Sequence, residues 1–263
     1  MQTKMKLLTI TSLIFALFFV FGVPRSGAET HAPHWNYEGN TGPDNWATLD
    51  PDFGATIGSA QSPVEVKTGM ALHNYGKALH LHYRNGYFTI LNNGHTVQLT
   101  PLRKEDNYIF LGGVKYVLQQ LHFHSPAEHK IDGVTPLMEA HFVHKSDAGR
   151  LAVMGMFFDS GAFNRILAAA WEALPEKAGA GEIPLKEIFN VENLLPDDLG
   201  NVQYNGSLTT PPTAEGVLWI ILKEHNTATD EQIAKFNKVI GNNARPVQPV
   251  NNRLFYNGEG TKE

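Results

Sequence analysis

The chain has 263 residues, enough for one large domain or two small ones with a sizeable core. Its formal charge is −5, and because residues 1 to 28 hold Lys4, Lys6 and Arg25 but no acid, the remainder is more acidic still, which argues against a nucleic-acid partner. Cysteine is absent, which excludes disulfides and a cysteine-borne lipid anchor.

Lys4 and Lys6 precede an apolar run of 17 residues from Leu7 to Val23, and Ser26-Gly27-Ala28 then places small residues where a signal peptidase cuts. Residues 1–28 are predicted to be a cleaved export signal. The alternative is an uncleaved anchor, since the run is at the short end of a bilayer span. Cleavage would leave 29–263 as a periplasmic or secreted domain without stable membrane association. No linker, charge block or repeat divides that stretch, so a single domain is expected.

Strand signals dominate the remainder. Leu79 to Tyr83 and Tyr87 to Leu91 flank Asn85-Gly86, a two-residue turn signal that predicts a β-hairpin. Leu151 to Phe158 and Val217 to Leu222 are continuous apolar runs, as in central strands buried on both faces. Helices are few. One is predicted from Phe163, Ile166, Leu167, Ala170 and Trp171 at helical spacing, stopping before Pro175. Another runs from about Asp230 to Ile240, with Thr229 and Gln232 spaced as a capping box and Gly241 placed to end it. The fold class expected is mixed α/β, dominated by β-structure, with few peripheral helices.

The segments Gln120-Leu-His-Phe-His124 and Leu137-Met-Glu-Ala-His141 are the most informative. Side chains alternate along a strand, so His122 and His124 share one face while Phe123 points to the other. Between them and His141, Asp132-Gly133-Val134-Thr135-Pro136 is rich in turn residues, so the chain can double back and bring His141 to the pair. Three neutral imidazoles leave the fourth tetrahedral position of Zn2+ open, which marks a catalytic site and lowers the pKa of water there to about 7. Histidine pairs are common by chance in a chain with 12 histidines. What singles these out is Gln120 and Glu139, each two residues before a ligand on the same face and placed to hold the other ring nitrogen.

These segments, with His34-Trp35-x-Tyr37, Gly42-Pro-x-x-Trp46, Gln61-Ser-Pro63, Leu91-Asn-Asn-Gly-His95, Glu128-His129, Gly206-Ser-Leu-Thr-Thr-Pro-Pro212, Trp219 and Asn252-Arg253, resemble an alpha-class carbonic anhydrase of the bacterial, exported type across nearly the whole mature region. The resemblance implies a large, mostly antiparallel central sheet with the site in a conical cleft. It also implies reversible hydration of carbon dioxide to bicarbonate, with these small molecules as the partners and a homodimer left open. By the same resemblance, Thr209 donates its hydroxyl proton to Glu128 and accepts from the nucleophile, which is consistent with an ionised carboxylate only accepting. Val143, Val153, Leu208, Val217 and Trp219 would form an apolar wall. The Thr209 and Thr210 amides would face a bound anion, and Asn252 would support a ligand. His95 would relay protons to solvent, with Asn93 and Gln98 holding bridging waters. Relatives often carry a disulfide from a segment upstream of Gln61 to the residue after Pro212. That residue here is Thr213. Two other readings are a catalytically silent binding module and a periplasmic zinc-dependent esterase.

Overall fold

Apolar residues alternate with polar ones over Val114–His124, and the apolar set faces a core that the neighbouring strands complete. In the computed structural model, which describes residues 34–263, this segment is one of 13 strands in a single mixed sheet among the described residues. The export signal expected at 1–28 lies outside the described residues.

Seven strands frame the site: β1 (Phe88–Asn92), β2 (Val97–Pro101), β3 (Val114–His124), β4 (Met138–Lys145), β5 (Leu151–Ser160), β6 (Asn201–Ser207) and β7 (Glu215–Leu222). They run in the order β1-β2-β3-β4-β5-β7-β6. Neighbours are antiparallel except β5 and β7, which pair in parallel with Val153 opposite Trp219. These two are the continuous apolar runs, and they lie inside the sheet as expected of strands covered on both faces. One face carries the larger core, which includes Leu121, Phe123, Phe142, Met154, Trp171 and Phe236. The other carries a smaller cluster with Val153, Phe157, Val217, Trp219 and Ile221. Phe123 is fully buried in the larger core, its ring 5.1 Å from that of Trp171. Burial of one such side chain is worth about 2–3 kcal/mol and fixes the parity that turns His122 and His124 the other way.

The hairpin expected around Asn85-Gly86 does not form. Leu79–His82 pairs with Tyr108–Leu111 and with Gly260–Lys262, whereas β1 pairs with β2. Gly86 instead exchanges backbone hydrogen bonds with Phe189, so long-range pairing on both sides outweighs the local turn signal. The two helices lie where expected, at Arg165–Glu172 and Asp230–Ile240. Asn164 caps the first, accepting from the Ile166 and Leu167 amides at 3.1 Å, so Phe163 falls outside it and is exposed. Thr229 and Gln232 form the full capping box on the second, and Gly241 ends it at φ 78°. The helices are tied together where Trp171 Nε1 donates to the Gln232 carbonyl at 3.0 Å. At the disulfide position, the Thr213 hydroxyl donates to Thr56 Oγ1 at 3.1 Å. A polar contact thus ties residue 213 to a segment upstream of Gln61, where the resemblance implies a disulfide in other members.

Candidate metal centre

β3 and β4 bring the three histidines together because His122 and His141 are direct cross-strand partners. The turn between the strands uses Asp132 and Gly133 at φ 48° and 91°. The three ring centroids are 4.6 to 5.2 Å apart, and one nitrogen of each ring lies within 4.8 Å of the others. The opposite nitrogen of each ring meets an acceptor. His122 Nδ1 is 2.8 Å from Gln120 Oε1, His124 Nδ1 is 2.8 Å from the Asn243 carbonyl, and His141 Nε2 is 2.8 Å from Glu139 Oε1. Each of those nitrogens therefore carries the proton, which leaves lone pairs on His122 Nε2, His124 Nε2 and His141 Nδ1. His124 Nε2 is buried without a hydrogen-bond partner. Three convergent neutral imidazoles, each fixed from behind by an acceptor, fit a tetrahedral zinc ion with one position open.

Burial holds His122 well below the ordinary histidine pKa, and the charges of His124 and His141 push the same way. His124 is also lowered, chiefly by burial. Burial lowers His141 too, but the charge and hydrogen bond of Glu139 outweigh it and the net direction is upward. Glu139 is fully buried yet held well below the usual carboxylate range by the charges of His129 and His141 and by their hydrogen bonds. It accepts from His141 and His129 Nδ1 at Oε1, and from the Glu128 and His129 amides at Oε2. Gly155, the cross-strand partner of His141, leaves room for this carboxylate, since a Cβ there would lie 2.9 Å from Glu139 Oε1. Beyond it, His129 Nε2 and the Tyr204 hydroxyl are 2.7 Å apart, and that hydroxyl is 2.8 Å from Ser62 Oγ.

Glu128 is buried, and its Oε1 accepts from the Arg245 amide at 2.9 Å. Its Oε2 faces His124 Nε2 at 3.5 Å and His141 Nδ1 at 3.9 Å and has no hydrogen-bond partner. The bond from Thr209 that the resemblance implies is therefore not formed among the described residues, because this oxygen turns toward the imidazoles. Thr209 is buried, and Thr210 is half-buried in the turn closed by the Thr213 amide on the Thr210 carbonyl at 2.8 Å. Val153, Val217 and Trp219 belong to the smaller apolar cluster, with Val143 and Leu208 packed against it. Trp219 is also pinned by its Nε1 donating to the Ser207 carbonyl at 2.9 Å.

His95 follows Gly94, which adopts φ 90°. Its ring stacks on Trp35 at 3.7 Å and 7°, and burial, then the charge of His34, lowers its pKa. Asn93 is exposed beside it. Its Oδ1 accepts from the His95 and Thr96 amides at 2.9 Å, which shapes the turn. Gln98 lies opposite His122 across the β2–β3 pair.

Asn252 does not support a ligand: it is exposed, and the residue behind His124 is Asn243. Sequence reasoning missed Asn243 because its contact is a backbone carbonyl, which any residue could supply. It also missed Arg245, whose amide anchors Glu128 from a segment without periodicity.

The family model described as eukaryotic-type carbonic anhydrase matches residues 41–258. A carbonic anhydrase from Pectobacterium carotovorum is 39% identical over 232 residues, covering 88% of this chain and 93% of that protein. One from Neisseria gonorrhoeae is 34% identical over 249 residues, covering 93% and 95%. Among solved structures, the alpha-carbonic anhydrase of Thermovibrio ammonificans in complex with the inhibitor sulfanilamide superposes with a TM-score of 0.82 at 38% identity, covering 85% of this chain and 99% of that one. Dioscorin complexed with ascorbate superposes at 0.80 with 28% identity, covering 88% and 100%. The chain belongs to the eukaryotic-type, or alpha, carbonic anhydrase family.

Proposed function

We propose that the chain catalyses the zinc-dependent, reversible hydration of carbon dioxide to bicarbonate and a proton, with His122, His124 and His141 as the zinc ligands. The observation that carries this reading is the convergence of three ring nitrogens whose opposite nitrogens are each committed to an acceptor. A zinc ion held by these three residues would supply Lewis acidity, bringing the pKa of a water it binds to about 7.

The chain's own residues do the rest. Gln120, Asn243 and Glu139 keep the rings in one tautomer and orientation. Glu128, fixed by the Arg245 amide, has an Oε2 without a hydrogen-bond partner; once the imidazole nitrogens it faces are engaged by a metal, that oxygen can accept the Thr209 hydroxyl proton and leave Thr209 a lone pair to aim the nucleophile. The wall of Val143, Val153, Leu208, Val217 and Trp219 suits a small apolar substrate that has no hydrogen to donate, because no buried polar group is left unpaired beside it. The Thr209 and Thr210 amides face the product anion. The His95 ring, stacked on Trp35, takes up the released proton on a ring nitrogen and passes it to solvent. The basic, apolar and small-residue pattern of residues 1–28 supports export to the periplasm or beyond.

Stopped-flow carbon dioxide hydration and ester hydrolysis, measured on one zinc-loaded preparation, test the proposal. Hydration well above the uncatalysed rate, abolished by chelation and inhibited by an aromatic sulfonamide, is the expected result. Ester turnover without carbon dioxide turnover would make the protein an esterase and overturn it.

A further inference from the structure

The Gln61-Ser62-Pro63 segment has no part in the chemistry above, yet Gln61 is 3% exposed and its amide is almost fully committed. Its Oε1 accepts from Arg245 Nη1 at 2.9 Å, and its Nε2 donates to the Thr213 carbonyl and to Glu215 Oε1, each at 3.1 Å. Guanidinium only donates and the carbonyl only accepts, so the partners fix which end of the amide is oxygen.

Each side leads to a different wall of the site. Arg245 is buried, with Nη1 also donating to the Ser62 carbonyl and its guanidinium 5.5 Å from the Trp46 ring, while its amide anchors Glu128. Thr213 closes the turn that carries Thr209 and Thr210, and Glu215 begins β7 while also accepting from the Ala60 amide at 2.7 Å. One side chain therefore spans the Glu128 anchor and the Thr209 turn, the two groups whose mutual placement aims the nucleophile.

We propose that Gln61 is a positioning residue that holds the Thr209 turn in register with Glu128 through its single amide. The inference rests on the carbon dioxide hydration reading given above. Gln61→Glu is the sharpest probe. It keeps an acceptor for Arg245 but turns an oxygen toward the Thr213 carbonyl and the Glu215 carboxylate, so one side of the clasp holds and the other repels.

The experiment compares parent, Gln61→Glu, the double variant Gln61→Glu with Glu215→Gln, and Glu215→Ala as full chains. It reads zinc content, kcat/KM for carbon dioxide, and hydrogen exchange resolved by segment on the metal-free proteins. Gln61→Glu should bind one zinc, lose about tenfold in kcat/KM, and exchange faster at residues 207–214 with β3 and β4 unchanged. The double variant replaces the repelling carboxylate on β7 by an amide that can donate to the newly introduced one, and it should recover most of both losses. Glu215→Ala alters an exposed residue and should show the same exchange pattern to a smaller degree, so the proposal stays testable if Gln61→Glu fails to fold.

Unchanged exchange at 207–214 in Glu215→Ala, or in a folded Gln61→Glu, would overturn the proposal. So would uniform destabilisation with unaltered kcat/KM per bound zinc, which is what a purely structural glutamine gives. If the parent itself does not hydrate carbon dioxide, the functional reading fails, whereas the exchange pattern still reports on the clasp.

Discussion

Glu128 Oε2 and His124 Nε2 face each other at 3.5 Å, both buried and neither hydrogen-bonded. Two unpartnered polar atoms in a dry site are costly unless a third group engages them. A metal on the imidazole nitrogen and a donor such as the Thr209 hydroxyl on the carboxylate would satisfy both, as the function proposed above assigns them. Glu128→Gln preserves shape but removes the obligate acceptor. Zinc content should stay at one equivalent while kcat/KM falls by about 10²-fold, the scale for losing one preorganised polar group. Loss of zinc together with activity would show that Glu128 serves the metal rather than the nucleophile.

Gly155 makes the Glu139 hub possible. Gly155→Ala places a methyl 2.9 Å from Glu139 Oε1, so the carboxylate must shift away from His141 and His129. Zinc affinity should drop by about 10-fold or more, as for removal of a group behind a ligand. A competitive chelator titration measures it, and parental affinity would mean that the carboxylate moves without loosening His141.

His95 can be separated from the zinc chemistry. His95→Ala should retain zinc and much of its kcat/KM at low buffer, while kcat falls by about tenfold or more and is restored saturably by added imidazole. Because burial and His34 lower the His95 pKa from 6.5, the buffer-independent kcat of the parent should rise with pH through a midpoint below that value. A variant as fast as the parent at low buffer would remove His95 from the proton path.

Much of this site is legible in the sequence because it obeys strand parity: Gln120, His122 and His124 on one face, Glu139 and His141 on the partner. Side-chain identity at period two carries that information. What strand parity does not encode stays hidden. The third support behind the ligands is the Asn243 carbonyl, and backbone contacts leave no residue signature. The Asn85-Gly86 signal misleads for a related reason: it is local, while Leu79–His82 and Phe88–Asn92 find their partners far along the chain.

His144, on the opposite face of β4 from the triad, is fully buried and has its ring 2.7 Å from the Tyr83 hydroxyl. Burial lowers its pKa from 6.5 to about 3. The unfolded chain therefore takes up a proton that the folded chain refuses between these values. The stability this residue contributes is full above the ordinary histidine range and is lost as pH falls, at up to about 1.4 kcal/mol per pH unit. Denaturant unfolding of metal-free protein between pH 6 and 4 should show a slope shallower by about one proton in His144→Gln, which keeps a partner for Tyr83. Equal slopes would place the acid sensitivity elsewhere.

If one zinc on His122, His124 and His141 makes this chain a carbon dioxide hydratase, a stoichiometric titration will show it. Zinc is added stepwise to metal-free protein while the initial hydration rate is followed by stopped flow. The rate should rise linearly and break sharply at one equivalent, and His141→Ala should stay near the uncatalysed rate throughout. Full activity before zinc addition, a break at another stoichiometry, or an active His141→Ala protein would rule out a single catalytic zinc on these three histidines.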